Sequence, residues 1–174
     1  LSPEDRAAGR GLDHPEVRNR LAREGLRRVL TANPPAFVTP RAALLVSVGN
    51  LEDDLPRLAD ADWVLEAVVE DARVKADLYR RLLPHLAPRA VLTSNTSGLR
   101  CAELAATLPA ERQARFFVTH FFNPPRYMHL LELVPGPSTD PALLDAFAAF
   151  GERDLGKGCV VARDTPNFIA NRIG

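Results

Sequence analysis

Apolar positions recur along this chain at two different spacings, and the switches between them mark its elements. Between Glu16 and Thr31 the residues Val17, Leu21, Leu26, Val29 and Leu30 return every three to five positions among arginines, the pattern of an amphipathic helix. Asn33-Pro34-Pro35 ends it, because a residue before proline is driven out of helical geometry. A short β-rich run, Leu44 to Val48, comes next, followed by Gly49-Asn50 and an acidic, helix-like stretch over Leu51 to Leu58. The strongly apolar run Trp63 to Val69 predicts a strand, and a helix from about Arg73 to Leu86 carries Leu78, Leu82, Leu83 and Leu86 on one stripe. Ala90 to Thr93 predicts another strand, ending in Ser94-Asn95-Thr96-Ser97-Gly98, before a helix over about Cys101 to Leu108. Short apolar strands alternating with helices make βαβ units, so the expected class is α/β, a mostly parallel sheet covered on both faces.

The rhythm changes after Arg115. Phe116 to Phe122 and Met128 to Val134 are separated only by Asn123-Pro124-Pro125-Arg126-Tyr127, whereas a parallel crossover needs about a dozen residues or more. These two strands are therefore expected to run antiparallel. A helix from about Asp140 to Leu155 follows, with Leu143, Leu144, Phe147, Phe150 and Leu155 as its apolar face, then a last strand, Gly158 to Ala162. The stretch Asp164 to Gly174 is expected to open a new helix, with Thr165 as cap and Pro166 in the first turn. Residues 1–15, broken by Pro3, Gly9, Gly11 and Pro15, read as a frayed polar lead-in.

Composition narrows the function classes. Of 174 residues 46% are hydrophobic and 25% charged, which excludes a disordered or fibrous chain. The 22 basic and 22 acidic residues give zero formal charge, and no basic patch with interleaved aromatics stands out, so no nucleic-acid partner is expected. No apolar stretch approaches the roughly 20 residues that cross a bilayer, and the N-terminus lacks the apolar centre of a secretory signal. The expectation is a cytoplasmic protein without a membrane span. Cys101 and Cys159 show no metal-ligand spacing, so reduced packed thiols and no metal are expected.

Three features could carry chemistry. A hairpin folded about Arg126 sets His120 opposite Glu132, and directly opposed side chains lie roughly 4.5–5.5 Å apart at Cβ. A carboxylate there would orient the imidazole as a general base, although a surface ion pair or a satisfied core histidine fits the same spacing. The Ser94–Gly98 cluster follows a parallel strand, where open α/β sheets bind ligands, but such residues also serve as turns and helix caps. Glu66 and Glu70 sit within or just after an apolar strand, where an unpaired charge costs several kcal/mol, and Glu70 is expected to emerge at the strand's end as ligand contact or cap. Gly156-Lys157-Gly158 precedes a strand and reads as a turn, and no Gly-x-Gly-x-x-Gly occurs in the chain.

Together, Ser94-Asn95-Thr96-Ser97-Gly98, His120-Phe121-Phe122-Asn123-Pro124-Pro125 with Glu132, and Asp164-Thr165-Pro166-Asn167-Phe168-Ile169-Ala170-Asn171-Arg172 strongly resemble the 3-hydroxyacyl-CoA dehydrogenase family, in its bacterial β-oxidation branch. The resemblance runs from about Asn19 to the last residue. It implies reversible oxidation of a (3S)-3-hydroxyacyl-CoA to the 3-ketoacyl-CoA, with NAD as cofactor and an acyl-CoA as substrate. His120 resembles the family's general base and Glu132 its orienting carboxylate. Ser97 and Asn171 match positions that bind the reacting 3-oxygen or the nicotinamide region, and Glu70, Lys75 and Asn123, with Ser97, match cofactor-side positions. It further implies a homodimeric parent enzyme, fused to or associated with an enoyl-CoA hydratase.

The family's opening strand, glycine turn and second strand have no counterpart in this sequence. The resemblance therefore implies an incomplete Rossmann-type doubly wound sheet with antiparallel strands near its C-terminal end. On that reading residues 1–15 are lead-in, 16–163 a partial NAD-binding domain, and 164–174 the start of a helical domain. Gly25 and Ala32 stand where some relatives place polar and basic CoA contacts. The isolated chain is expected to grip the NAD pyrophosphate poorly and to be inactive. Two alternatives compete: a non-catalytic relative kept for structural or binding duty, and a dehydrogenase of hydroxy acids or sugar nucleotides. The joint presence of His120, Glu132, Ser97 and Asn171 speaks against the first, and His-Phe-Phe-Asn-Pro with the distant glutamate against the second.

Overall fold

The computed structural model describes residues 1–173, which gather into two compact units divided between Pro56 and Arg57. The first unit is helical. Helix α1 (Pro3–Ala7) lies where a frayed lead-in was expected, because Ser2 and Asp5 form a reciprocal capping box and Arg20 pairs with the buried Asp5 carboxylate. The amphipathic stretch is split into α2 (Pro15–Arg18) and α3 (Arg20–Leu30) at Asn19, whose side-chain oxygen accepts from the Asn50 amide at 2.8 Å. The expected strand over Leu44 to Val48 does not form. Pro40–Leu45 is a 3-10 turn instead, Leu44 and Leu45 are exposed, and Val46 to Asn50 joins no sheet. Strand propensity is realised only where a neighbouring strand offers packing and hydrogen bonds, and none lies beside this run.

The second unit is built on a five-stranded sheet in sequence order. After 3-10 turns over Leu55–Asp60, in place of the expected helix, come β1 (Trp63–Glu66), α4 (Ala72–Leu82) and β2 (Val91–Ser94). Then follow α5 (Cys101–Ala105), α6 (Ala110–Gln113), β3 (Phe116–Phe121) and β4 (Leu130–Pro135). The chain ends through α7 (Pro141–Arg153), β5 (Gly158–Val161) and α8 (Ala170–Ile173). Strands β1, β2 and β3 are parallel, β3 and β4 antiparallel, and β4 and β5 parallel. The α/β class and the single reversal near the C-terminal end are those that the apolar runs and short connection predict. Gly156, at φ +64, makes the turn out of α7 into β5, a left-handed conformation that glycine adopts without Cβ penalty.

Period-two alternation gives the sheet two different faces. One buries Val91, Phe117, Leu131 and Leu133 against Leu144 and Phe147 of α7, with Trp63 edge-on to Phe147 at 4.9 Å between ring centroids. Residues paired across strands share a face, so Glu66 and Ser94 lie together on the opposite face, as do His120 and Glu132. The register also pairs Ser94 with Val118, two positions before His120, which puts all four on this one face. Tyr79 of α4 covers it, edge-on to Phe116. No helix among the described residues is long and apolar enough to cross a membrane.

Candidate active site

The carboxyl ends of β1, β2 and β3 lie side by side, and each delivers a polar side chain to the same end of the sheet. On β3 and β4 the pairing of position 120 with 132 brings His120 Nδ1 within 2.8 Å of Glu132 Oε2, with side chains 6% and 0% exposed. A carboxylate only accepts hydrogen bonds, so the neutral ring keeps its proton on Nδ1 and leaves the Nε2 lone pair available. The second carboxylate oxygen, Oε1, accepts the backbone N–H groups of Ile169 (3.1 Å) and Ala170 (2.8 Å) at the head of α8. The imidazole is bracketed by the rings of Phe122 and Phe168, 4.4 and 5.7 Å away between centroids.

At the ends of β1 and β2 lies a buried ionic cluster whose donors to Glu66 the sequence pattern did not reveal. Glu66 Oε1 accepts from Lys75 Nζ and from Val68 N, each at 2.7 Å, while Oε2 accepts from Tyr79 OH at 2.9 Å and Ser94 Oγ at 2.6 Å. Burial and the Glu66 charge push the Tyr79 phenol far above its ordinary range, so it stays a donor. The available signal was the carboxylate inside an apolar run, which demands a partner, with Lys75 nine positions further on.

Lys75 Nζ also reaches Glu70 Oε2 at 3.4 Å. Glu70 Oε1 in turn accepts the hydroxyl of Thr96 and the backbone N–H groups of Ser97 (2.9 Å) and Gly98 (3.0 Å). Burial is the largest influence on Glu70 and raises its titration, but the Thr96, Gly98 and Ser97 donors and the Lys75 charge together outweigh it, holding the carboxyl below the usual range. Glu70 thus emerges after β1, as the sequence predicts, and organises the turn bearing Ser97. A Cβ at Gly98 would sit 3.3 Å from the Asn167 side-chain oxygen, a close approach that glycine avoids.

Asn171 closes the arrangement by donating from Nδ2 to the Ser97 carbonyl oxygen at 3.3 Å. The helix expected to open at Thr165 begins instead at Ala170, and Asn167 and Phe168 adopt φ +64 and +49. A left-handed bulky residue costs on the order of 1–3 kcal/mol and persists only where its surroundings over-determine it. Phe168 is buried beside His120, with its N–H bonded to Thr165 O. Asp164, expected within the helix opening, accepts instead from Cys101 N (2.7 Å) and Ala102 N (2.9 Å) at the start of α5. Asn123 is exposed in the β3–β4 loop, three positions after His120. No group of three or more His, Cys, Asp or Glu among the described residues is placed to hold a metal ion.

A mostly parallel sheet with polar groups converging beyond its strand ends, and an acid-oriented histidine among them, defines a nucleotide-binding α/β domain of dehydrogenase type. The chain belongs to the family described as 3-hydroxyacyl-CoA dehydrogenase, NAD binding domain, which matches residues 15–165. It is 48% identical over 162 residues to a probable 3-hydroxyacyl-CoA dehydrogenase of Deinococcus radiodurans, covering 93% of this chain and 46% of that protein. A protein of the same description from Bacillus subtilis is 43% identical over 174 residues, covering 100% of this chain and 22% of that protein. The chain therefore spans less than half the length of either relative. Among solved structures, M. tuberculosis FadB2 superimposes with a TM-score of 0.70 at 34% identity, covering 90% of this chain and 53% of that one.

Proposed function

We propose that the protein containing this chain oxidises (3S)-3-hydroxyacyl-CoA to 3-ketoacyl-CoA reversibly, with NAD as hydride acceptor, in fatty acid β-oxidation. The observation that supports this most directly is the 2.8 Å contact of His120 with Glu132 inside the sheet, on the face shared with the Glu66 cluster. His120 Nε2 takes the substrate's hydroxyl proton as the C–H hydride leaves. The imidazolium so formed lies against the Glu132 carboxylate, which stabilises it where it arises. Ser97 and Asn171 hold the 3-oxygen and the nicotinamide region in reactive register.

The residues present fit the nicotinamide half of the cofactor. Glu70, with its side chain 40% exposed, presents an acceptor suited to ribose hydroxyls. Lys75 is 1% exposed, so it serves the cofactor by holding Glu70 in place, and Asn123 completes that side from its loop. NAD supplies the redox chemistry when bound. The 174 residues contain no Gly-x-Gly-x-x-Gly turn to grip a pyrophosphate, and the isolated chain is proposed to be inactive. Residues 16–163 are read as the NAD-binding part, with 164 onward opening a helical one. An enoyl-CoA hydratase makes this reaction's substrate, which favours such an activity in the same protein or beside it.

In the full-length protein, NADH-dependent reduction of acetoacetyl-CoA is expected. His120→Gln is expected to lower kcat by about 10²- to 10⁴-fold while leaving NADH affinity near wild type. An inactive wild-type protein, or a fully active variant, overturns the reading.

A further inference from the structure

The segment from Asp164 to Asn171 crosses the candidate site as a strap tied at both ends. Its far end is held twice: Glu132 Oε1 takes the N–H groups of Ile169 and Ala170, and Asn171 reaches Ser97 O at 3.3 Å. Its near end is held by Asp164, whose two carboxylate oxygens take Cys101 N and Ala102 N, 63 and 62 positions earlier in the chain. Between the ties, Asn167 and Phe168 keep left-handed backbone that isolated chain would not retain. Helix α5 has no cap of its own, because the residue at its N-cap, Arg100, makes no side-chain hydrogen bond to the helix.

We infer that Asp164 is a positioning residue for the reaction proposed above: by tying the strap to α5 it holds Phe168 against His120 and Asn171 at Ser97. The inference rests on that functional reading. Asp164 touches neither His120 nor Glu132; it acts through the backbone of residues 165–170. Were it only a helix cap, any other cap on α5 would replace it.

That contrast supplies the test. In the full-length protein, Asp164→Ala removes both the tie and the cap, while Asp164→Ala with Arg100→Ser supplies α5 with a local cap and leaves the strap loose. Arg100 Nε lies 4.0 Å from Asp164 Oδ2, so Arg100→Ser alone removes that ion pair and is the baseline against which the double variant is read. Measured well below each variant's Tm, Asp164→Ala is expected to lower kcat by about ten- to hundredfold, with NADH affinity preserved. The double variant is expected to regain Tm but not kcat, and amide exchange at Ile169 and Ala170 is expected to be faster than wild type in both. Wild-type kcat in the double variant, or unaltered exchange at those two amides, overturns the inference. The exchange readout needs no turnover, so an inactive wild-type protein sinks the functional reading without deciding the strap.

Discussion

Lys75 and Glu66 meet at 2.7 Å with side chains 1% and 0% exposed, and the same ammonium lies 3.4 Å from the half-exposed Glu70. One cation thereby links a fully buried carboxylate to the carboxylate that organises the Ser97 turn. Removing one member of a buried pair strands the other, typically at about 3–5 kcal/mol, whereas replacing both by apolar groups is close to neutral. Glu66→Leu alone is expected to show the large loss in urea unfolding, and Glu66→Leu with Lys75→Met to recover only the part due to the stranded ammonium, because Val68 N, Tyr79 OH and Ser94 Oγ still lack their acceptor. NADH affinity is expected to be reduced in the double variant, because Glu70 loses the Lys75 contact and is held only through its other oxygen by Thr96, Ser97 and Gly98. A single-variant loss below about 1 kcal/mol contradicts a paired, desolvated charge.

Glu132→Gln tests the tautomer argument. The amide oxygen can still accept from Ile169 and Ala170, but the NH₂ group then faces His120 Nδ1 and must donate to it. The ring proton moves to Nε2, where the base is needed. A wrong-tautomer imidazole elsewhere lowers turnover by about 10⁴-fold, and a loss of that order in kcat with little change in Tm is expected. Nitrogen NMR of the His120 ring reports the tautomer directly, and an unchanged Nδ1–H signal contradicts the assignment.

How much of this was legible in the chain differs from element to element. The opposition of His120 and Glu132 was readable because the short connection between the two apolar runs, eight residues in the structure, leaves a hairpin few registers, and apolar alternation removes most of those. The apolar runs at Trp63, Val91, Phe116 and Leu130 became strands because each found a neighbour. Leu44 to Val48 had the same local texture and found none, so its leucines stay exposed. Thr165-Pro166 looked like a helix start, but the Asp164 bonds to Cys101 and Ala102 and the Glu132 bonds to Ile169 and Ala170 move that start to Ala170. Those bonds join positions far apart in sequence and leave no local signature. The Glu66 cluster was half legible: burial of the carboxylate followed from its surroundings, but its four donors come from three further elements or turns.

Glu70 predicts the sign of an acid effect. Its carboxyl titrates below the ordinary value in the folded protein because the Thr96, Gly98 and Ser97 donors and Lys75 outweigh burial. The folded state thus favours the ionised form, and this stabilisation is complete above the unfolded glutamate value of about 4.3. It is lost as pH falls through the depressed folded value. Glu70→Gln is therefore expected to be less stable than wild type at neutral pH, with the gap closing as both are acidified below about pH 4. Paired urea titrations across that range check it, and a gap that widens on acidification reverses the sign of the argument.

Cys101 tests whether the α5 face stays closed. Burial, with the Asp164 charge adding to it, pushes its thiol up to about 12, so at pH 8 almost none of it is thiolate. The thiolate is the reactive form, so Cys101 in native protein is expected to resist alkylation by iodoacetamide over hours and to react at once in urea. Burial also raises the Cys159 thiol, but that side chain is only partly covered, and it is expected to label first. Rapid native labelling of Cys101 would mean that α5 opens readily, which its backbone ties to Asp164 oppose.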